Sequence, residues 1–343
     1  MSFKRMFHAV ETHSGEPMRV ITGGVPHIPG NSVYEQMRWL EKNDDQIRKL
    51  MLREPRGYPP VCCNLIVPAK HPEAKAGYII MEQTEYPVMS GGNTISVATV
   101  LLETGMIPME EPVTEFILEA PAGLIGIKAE CDSGKVTQVT FKNVPAFAAH
   151  LDAVIDVPTL GKVTVDVAWG GMFYVIADVR QFEGLRLVPE YGREINRISA
   201  LILRAAQDQL PVAHPHYPGI GITVAQLSGP TESQNADWRN TVTVSNGLID
   251  FDNPATWTGA LDRCPCGTGT CAKMATLYAK GRLKLNESFR HENFLGIVYT
   301  GRLVEEVKIG DYKAVVPTVS GHGFTDSIRT FSTRQTRFPK DSQ

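Results

Sequence analysis

The chain has 343 residues, 43% of them hydrophobic and 21% charged, and a formal net charge of −3; that length suits two domains of about 150–170 residues better than one core. No Lys/Arg cluster offers a face to nucleic acid or a membrane surface, and no stretch approaches the roughly 18 apolar residues of a membrane span. The opening Met1-Ser2-Phe3-Lys4-Arg5-Met6-Phe7-His8 lacks the apolar run of a signal peptide, so a cytoplasmic protein is expected.

In chain order, the first half predicts strands at Phe7–Val10, Arg19–Thr22, Val61–Val67, Ala76–Glu82, Glu115–Glu119, Gly123–Glu130 and Val136–Lys142. Its helices are Ser32–Arg53, which opens on a serine cap and carries apolar residues at helical spacing, and Thr94–Thr104. The second half repeats the order, with strands at Gly161–Ala168, Phe173–Asp178, Gly221–Gln226, Arg239–Val244, Leu295–Thr300 and Leu303–Ile309 and helices at Glu190–Gln209 and Thr270–Arg282. The turn and strands of His8–Gly23 echo Thr164–Val179. A boundary is expected at Val157–Lys162, giving domains 1–160 and 161–324, with the segment from about 325 to 343 packing back on the first. The tail Thr333–Gln343 is polar, and its last residues are expected to fray.

The chain also repeats itself in detail. Ser90-Gly91-Gly92-Asn93-Thr94, leading into a run that ends at Gly105, aligns without a gap on Cys266-Gly267-Thr268-Gly269-Thr270, leading into a run that ends at Gly281, 176 residues later. Each copy reads as a reactive side chain, a Gly-rich turn and a helix closed by glycine. A helix N-terminus offers unpaired N–H groups and the positive end of the dipole, and small residues let an anion come close. Two such ends can grip a carboxylate between two proton-transfer groups.

The six cysteines, Cys62, Cys63, Cys131, Cys264, Cys266 and Cys271, are too few and too uneven for a disulfide framework. Cys264, Cys266 and Cys271 invite a zinc reading, but no Cys-x-x-Cys spacing occurs, no second ligand pair is near, and Cys271 falls inside the predicted helix. No metal site is expected. Cys62 and Cys63 adjoin the apolar run Asn64–Pro68 and read as core thiols.

Asp262-Arg263-Cys264-Pro265-Cys266-Gly267-Thr268-Gly269-Thr270 resembles the Asp-Arg-Ser-Pro-Cys-Gly-Thr-Gly-Thr signature of the proline racemase family, which includes hydroxyproline 2-epimerases and trans-3-hydroxyproline dehydratases. His13-Ser14-Gly15-Glu16-Pro17-Met18-Arg19-Val20, Glu54-Pro55-Arg56-Gly57 and Gly170-Gly171-Met172-Phe173-Tyr174 extend the resemblance over nearly the whole chain. It implies an α/β (α+β) fold of two similar domains, each a sheet wrapped around a central helix as in proline racemase and diaminopimelate epimerase, with the site in the interdomain cleft. It also implies a small-molecule substrate, hydroxyproline or proline, no metal or organic cofactor, and a possible homodimer. Two departures stand out: the family's racemases read Cys-Gly-His where this chain has Ser90-Gly91-Gly92, and Tyr58 stands where the pattern commonly carries His.

Removing an α-proton without a cofactor requires the neighbouring carboxylate to hold the developing charge. Backbone amides at Gly91 and Gly92 and at Gly267 and Thr268 are placed to do so. Cys266 begins a helix after a proline, an environment expected to favour thiolate, and is the expected base or acid. Ser90 faces it as the second catalytic group, or caps its helix. By resemblance, Asp262 accepts a hydrogen bond from the ring ammonium; otherwise it is a turn residue. His13 lines the cleft or is merely structural. Two-base inversion needs an acceptor on each face, and an aliphatic hydroxyl ionises far less readily than a thiol, so Ser90 weakens the racemase reading. Dehydration of trans-3-hydroxy-L-proline to Δ1-pyrroline-2-carboxylate needs one strong base and is favoured, with 4-hydroxyproline 2-epimerisation the close runner-up and both reactions on one site a third alternative. A non-catalytic amino-acid-binding protein and a Cys-dependent hydrolase are further alternatives; the intact Cys266 motif argues against the first, and the lack of a histidine beside Cys266 in sequence argues against the second.

Overall fold

The computed structural model describes residues 3–334. The strands are β1 (Phe3–His13), β2 (Pro17–Gly23), β3 (Cys62–Val67), β4 (Ala76–Met81), β5 (Val113–Ala120), β6 (Gly123–Asp132), β7 (Lys135–Lys142), β8 (Ala146–Val157), β9 (Gly161–Trp169), β10 (Phe173–Asp178), β11 (Ile222–Gly229), β12 (Trp238–Ser245), β13 (Gly259–Leu261), β14 (Ser288–Asn293), β15 (Val298–Ile309), β16 (Tyr312–Gly321) and β17 (Phe324–Arg334). The helices are α1 (Val33–Asn43), α2 (Gln46–Leu52), α3 (Gly91–Glu103), α4 (Gly192–Gln209) and α5 (Gly267–Ala279). Among the described residues no helix is long and apolar enough to cross a membrane.

The pairing pattern is written twice. β1 to β2 is antiparallel, β2 to β3 parallel, β3 to β4 antiparallel, β4 to β5 parallel, and β5, β6 and β7 follow antiparallel. The strands β9, β10, β11, β12, β14, β15 and β16 repeat that sequence of senses. β8 pairs antiparallel with β9, and the chain's last strand, β17, pairs antiparallel with β1. β16 also pairs with β7 and β8, which joins the two sheets.

Each sheet wraps a helix. α3 is buried from Gly91 to Leu102 and α5 from Gly267 to Thr276, the all-round burial of a helix at the centre of a core. Both have the same length and end at a left-handed glycine, Gly105 or Gly281. They begin three residues before the sequence predicts, at Gly91 and Gly267, because their glycine-rich first turns carry no helix propensity and are held by the packing around them.

Other boundaries move for local reasons. The single helix expected over 32–53 is two. Ser32 caps α1 by accepting the Glu35 N–H, and Glu35 accepts the Asn31 N–H in return. The Asn43-Asp44-Asp45 run then breaks the helix, because the Asp45 carboxylate is taken up by Arg48 at 2.6 and 2.8 Å and by the Tyr86 hydroxyl at 3.0 Å. The strands expected at 295–300 and 303–309 are one, β15, irregular between Leu303 and Glu305 where it meets Pro317 of β16. β8, β13, β14, β16 and β17 are strands the periodicity does not reveal; β8 has two register shifts and a left-handed Asp152, which scramble its alternation. The fraying expected of the last residues concerns positions outside those described.

Candidate active site

The N-termini of α3 and α5 meet. A Cβ built on Gly91 lies 2.7 Å from the Gly267 Cα, and one built on Gly267 lies 2.7 Å from the Gly91 Cα, so neither position has room for a side chain. The first intrahelical bonds are Thr94 N–H to the Ser90 carbonyl and Thr270 N–H to the Cys266 carbonyl, at 3.0 and 2.8 Å. The amides of Gly91, Gly92, Gly267 and Thr268 precede those bonds and have no carbonyl within their own helices. Four donors and two positive dipole ends are thereby gathered at one point, an arrangement suited to a carboxylate.

Beside this junction a cleft opens between the halves. Ser90, Asn93, Glu16, Glu82 and Cys62 from the first half and Asp262 and Cys264 from the second are on its walls. Cys266 is not; its N–H donates to the Cys264 Sγ at 3.2 Å, which puts it directly behind that wall, 6% exposed. Gly91, Gly92, Gly267 and Thr268 are likewise buried behind the lining.

Cys266 adopts φ 61° and ψ 98°, a conformation costing about 1–3 kcal/mol for a non-glycine residue and one that persists only where the surroundings impose it. The Pro265 carbonyl before it is pinned by Asn240 Nδ2 and Thr270 Oγ1. The Tyr174 hydroxyl lies 3.2 Å from Cys266 Sγ and 2.7 Å from Thr268 Oγ1. Contrary to expectation, this environment does not favour the thiolate in the ligand-free protein. Burial, then the negative charge of Asp262, pushes the Cys266 thiol well above its usual value, and the hydrogen bonds from Tyr174 and the Gly269 amide only partly offset them.

Ser90 stands at the N-cap of α3, but its hydroxyl does not cap the helix. It accepts from Asn93 Nδ2 at 2.9 Å, and Asn93 Oδ1 accepts from Asn64 Nδ2 at 2.7 Å. Asp262 Oδ1 accepts the Cys264 N–H at 2.8 Å, and burial raises its pKa above the usual carboxylate range. Glu16 accepts the Arg263 N–H at 2.8 Å; burial and the neighbouring Asp262 push it up to about 9. Glu82 is pushed up to about 8 by burial, then by Glu85 and Asp262.

The remaining expectations sort plainly. His13 is not on the cleft wall: its ring stacks on Phe324 at 5.0 Å and its Nε2 is 3.8 Å from Asp326, because β17 covers that end of β1. Cys63 is a fully buried core thiol, whereas Cys62 lines the cleft. Cys271 is fully buried in α5, where burial raises it to about 12. The fold does bring a histidine near Cys266: His291 Nδ1 is 2.9 Å from Thr270 Oγ1 and 3.2 Å from Asn240 Nδ2. Burial holds that ring neutral, down to about 3, and those contacts occupy Nδ1, so it is not poised as a base for the thiol. Sequence reasoning missed Asn93, Glu16, Glu82 and Tyr174 as residues of this site. Glu16 and Tyr174 sit in the runs that carry the resemblance, and Asn93 follows Ser90 by one helical turn; Glu82 carries no such signal.

Comparison with known proteins agrees with this architecture. The family described as proline racemase matches residues 9–336. A hydroxyproline epimerase from Agrobacterium vitis, solved with bound trans-4-hydroxy-L-proline, superposes with a TM-score of 0.88 at 36% identity, over 97% of this chain and 94% of that one. A probable proline racemase from Agrobacterium radiobacter K84, solved with bound carbonate, gives 0.86 at 33% identity, over 98% and 94%. A Bacillus anthracis phenazine biosynthesis protein of the PhzF family shares the fold alone, with a TM-score of 0.56 at 10% identity over 95% and 99%.

Proposed function

The chain belongs to the proline racemase family, and from that premise we propose that it removes the α-proton of a hydroxyproline, with trans-3-hydroxy-L-proline dehydrated to Δ1-pyrroline-2-carboxylate as its reaction. The observation that carries this reading is the asymmetry of the two helix ends. One presents Cys266 with a phenol and an amide directed at its sulfur. The other presents Ser90, whose hydrogen-bond partner is an amide donor, Asn93, rather than a base. Elimination needs one strong base; inversion needs two.

In this mechanism the substrate carboxylate binds the amides of Gly91, Gly92, Gly267 and Thr268, which also stabilise the charge that builds on it as the α-proton leaves. The ring ammonium pairs with Asp262. That pairing has a second effect, because the charge of Asp262 is, after burial, the largest influence that keeps Cys266 protonated; an ammonium beside it cancels the repulsion and eases ionisation of the thiol. Substrate thus helps to generate its own base. Cys266 takes the α-proton, and Ser90, on the opposite face, is the weaker partner.

Epimerisation of 4-hydroxyproline is the second reading, favoured by the similarity to the Agrobacterium vitis epimerase. Incubation in deuterium oxide with L-proline, trans-4-hydroxy-L-proline and trans-3-hydroxy-L-proline, each followed by NMR, separates the two. Loss of water from the 3-hydroxy compound supports the dehydratase. Deuterated product of inverted α-carbon from the 4-hydroxy compound alone supports the epimerase, and three undeuterated substrates would overturn both.

A further inference from the structure

An elimination of water leaves one requirement that neither Cys266 nor Ser90 supplies. Hydroxide is a poor leaving group, and the β-hydroxyl needs a proton as its bond to carbon breaks. Resting on the dehydratase reading, we propose that Glu82 is the catalytic acid that delivers this proton.

Three carboxyl groups face the cleft. Two are committed to the loop that carries the substrate's ammonium partner: Asp262 accepts the Cys264 N–H and Glu16 the Arg263 N–H. The Glu82 carboxyl has no hydrogen-bond partner among the described residues, so its proton is free to be given to a ligand. Its mount is nevertheless rigid. The Arg48 guanidinium donates to the Glu82 carbonyl at 3.1 Å and to the Gln83 carbonyl, and is itself held by both oxygens of Asp45. The Glu82 N–H is tied to the Glu85 carbonyl at 2.9 Å. A carboxyl on a fixed backbone, lining the same cleft as Ser90, is what proton delivery to a small bound ring requires. With its pKa at about 8, the group carries its proton at neutral pH.

The step balances. Cys266 removes the α-proton, the electron pair left on the α-carbon forms the double bond to the β-carbon, and the carbon–oxygen bond breaks as Glu82 protonates the oxygen. Water departs, the Cys266 thiol releases the proton it took to solvent, Glu82 is left as carboxylate and regains one from solvent, and the enamine tautomerises to the cyclic imine. Proton exchange at the α-carbon of a substrate without a 3-hydroxyl uses the α-proton transfer to Cys266 but not the acid.

The test is Glu82→Gln in the full chain, with Glu82→Asp beside it and the unfolding midpoint of each recorded. Three rates are compared with wild type: elimination from trans-3-hydroxy-L-proline, elimination from the 3-chloro analogue, whose halide leaves without a proton, and α-deuterium exchange into 4-hydroxyproline. The expected result for Glu82→Gln is a loss of about 100-fold or more in dehydration, with halide elimination and exchange near wild type and dehydration partly restored in Glu82→Asp. Parallel loss of all three rates, or undiminished dehydration, would overturn the assignment. If wild-type protein exchanges α-deuterium but releases no water from the 3-hydroxy substrate, the dehydratase reading fails first and the acid falls with it.

Discussion

Replacing Tyr174 by Phe tests how this fold makes a buried thiol usable. The ring is 1% exposed, so the phenylalanine occupies the same space and only the hydroxyl is lost. That hydroxyl lies 3.2 Å from Cys266 Sγ and 2.7 Å from Thr268 Oγ1. Burial and the nearby thiol hold Tyr174 well above the ordinary tyrosine range, so it is a neutral donor at any working pH. A hydrogen bond to a charged group contributes about 1.5–3 kcal/mol, and one pKa unit corresponds to about 1.4 kcal/mol. Loss of the bond therefore raises the Cys266 pKa further, and at a pH below it the thiolate fraction and the rate of α-proton removal fall about 10- to 100-fold. The measurement is kcat/KM for α-deuterium exchange across pH 6 to 10. The rising limb, which extends through this whole range because burial and the Asp262 charge hold the thiol well above its usual value, should lie lower by that 10- to 100-fold throughout. Thr268→Val removes the other partner of the phenol without touching the sulfur, and should shift the limb far less. A Tyr174→Phe profile superposable on wild type would refute the claim that the phenol supports the thiolate.

Cys266→Ser should abolish turnover, whereas Cys264→Ser, which restores the residue of the family signature on the cleft wall, should retain it; equal losses in steady-state kinetics would mean that the wall thiol takes part. Ser90→Cys should raise epimerisation relative to dehydration in the NMR assay, because a thiol ionises several pKa units more easily than an alcohol, and an unchanged ratio would remove Ser90 as the switch. Adding Gly92→His is a poorer test, since a Cβ there already lies 3.0 Å from Ser14 Oγ and from Met18 Cε and 3.4 Å from Cys264 Sγ. Stability should also report the cleft carboxyls. Glu82 is raised from the ordinary glutamate value of 4.5 to about 8, so the folded state binds its proton more tightly than the unfolded one. Its contribution is fully present below pH 4.5 and lost as pH rises through 8. Glu82→Gln should accordingly gain stability relative to wild type between pH 5 and 8 in urea titrations; a constant difference over that range would contradict the raised value.

Much of this protein was legible in its sequence because repetition and short-range chemistry are written locally. The offset that aligns Ser90 with Cys266 also aligns α3 with α5, and the Gly-rich turns before them announce helix ends open to an anion. Ser32 and Glu35 mark the start of α1 for the same reason, since a cap is an interaction across three residues. What only the tertiary structure decided depends on partners distant along the chain. β17 becomes a strand because β1 lies beside it, and it takes His13 away from the cleft by placing Phe324 against the ring. Tyr174 reaches Cys266 only once β10 packs against the start of α5, and Glu16 reaches Arg263 only once the two halves are joined. The ionisation of Cys266 was the least legible property of all: the helix terminus that favours its thiolate is encoded within four residues, while the burial and the Asp262 charge that oppose it exist only in the closed fold, where water is excluded and the loop before α5 folds back on the sulfur.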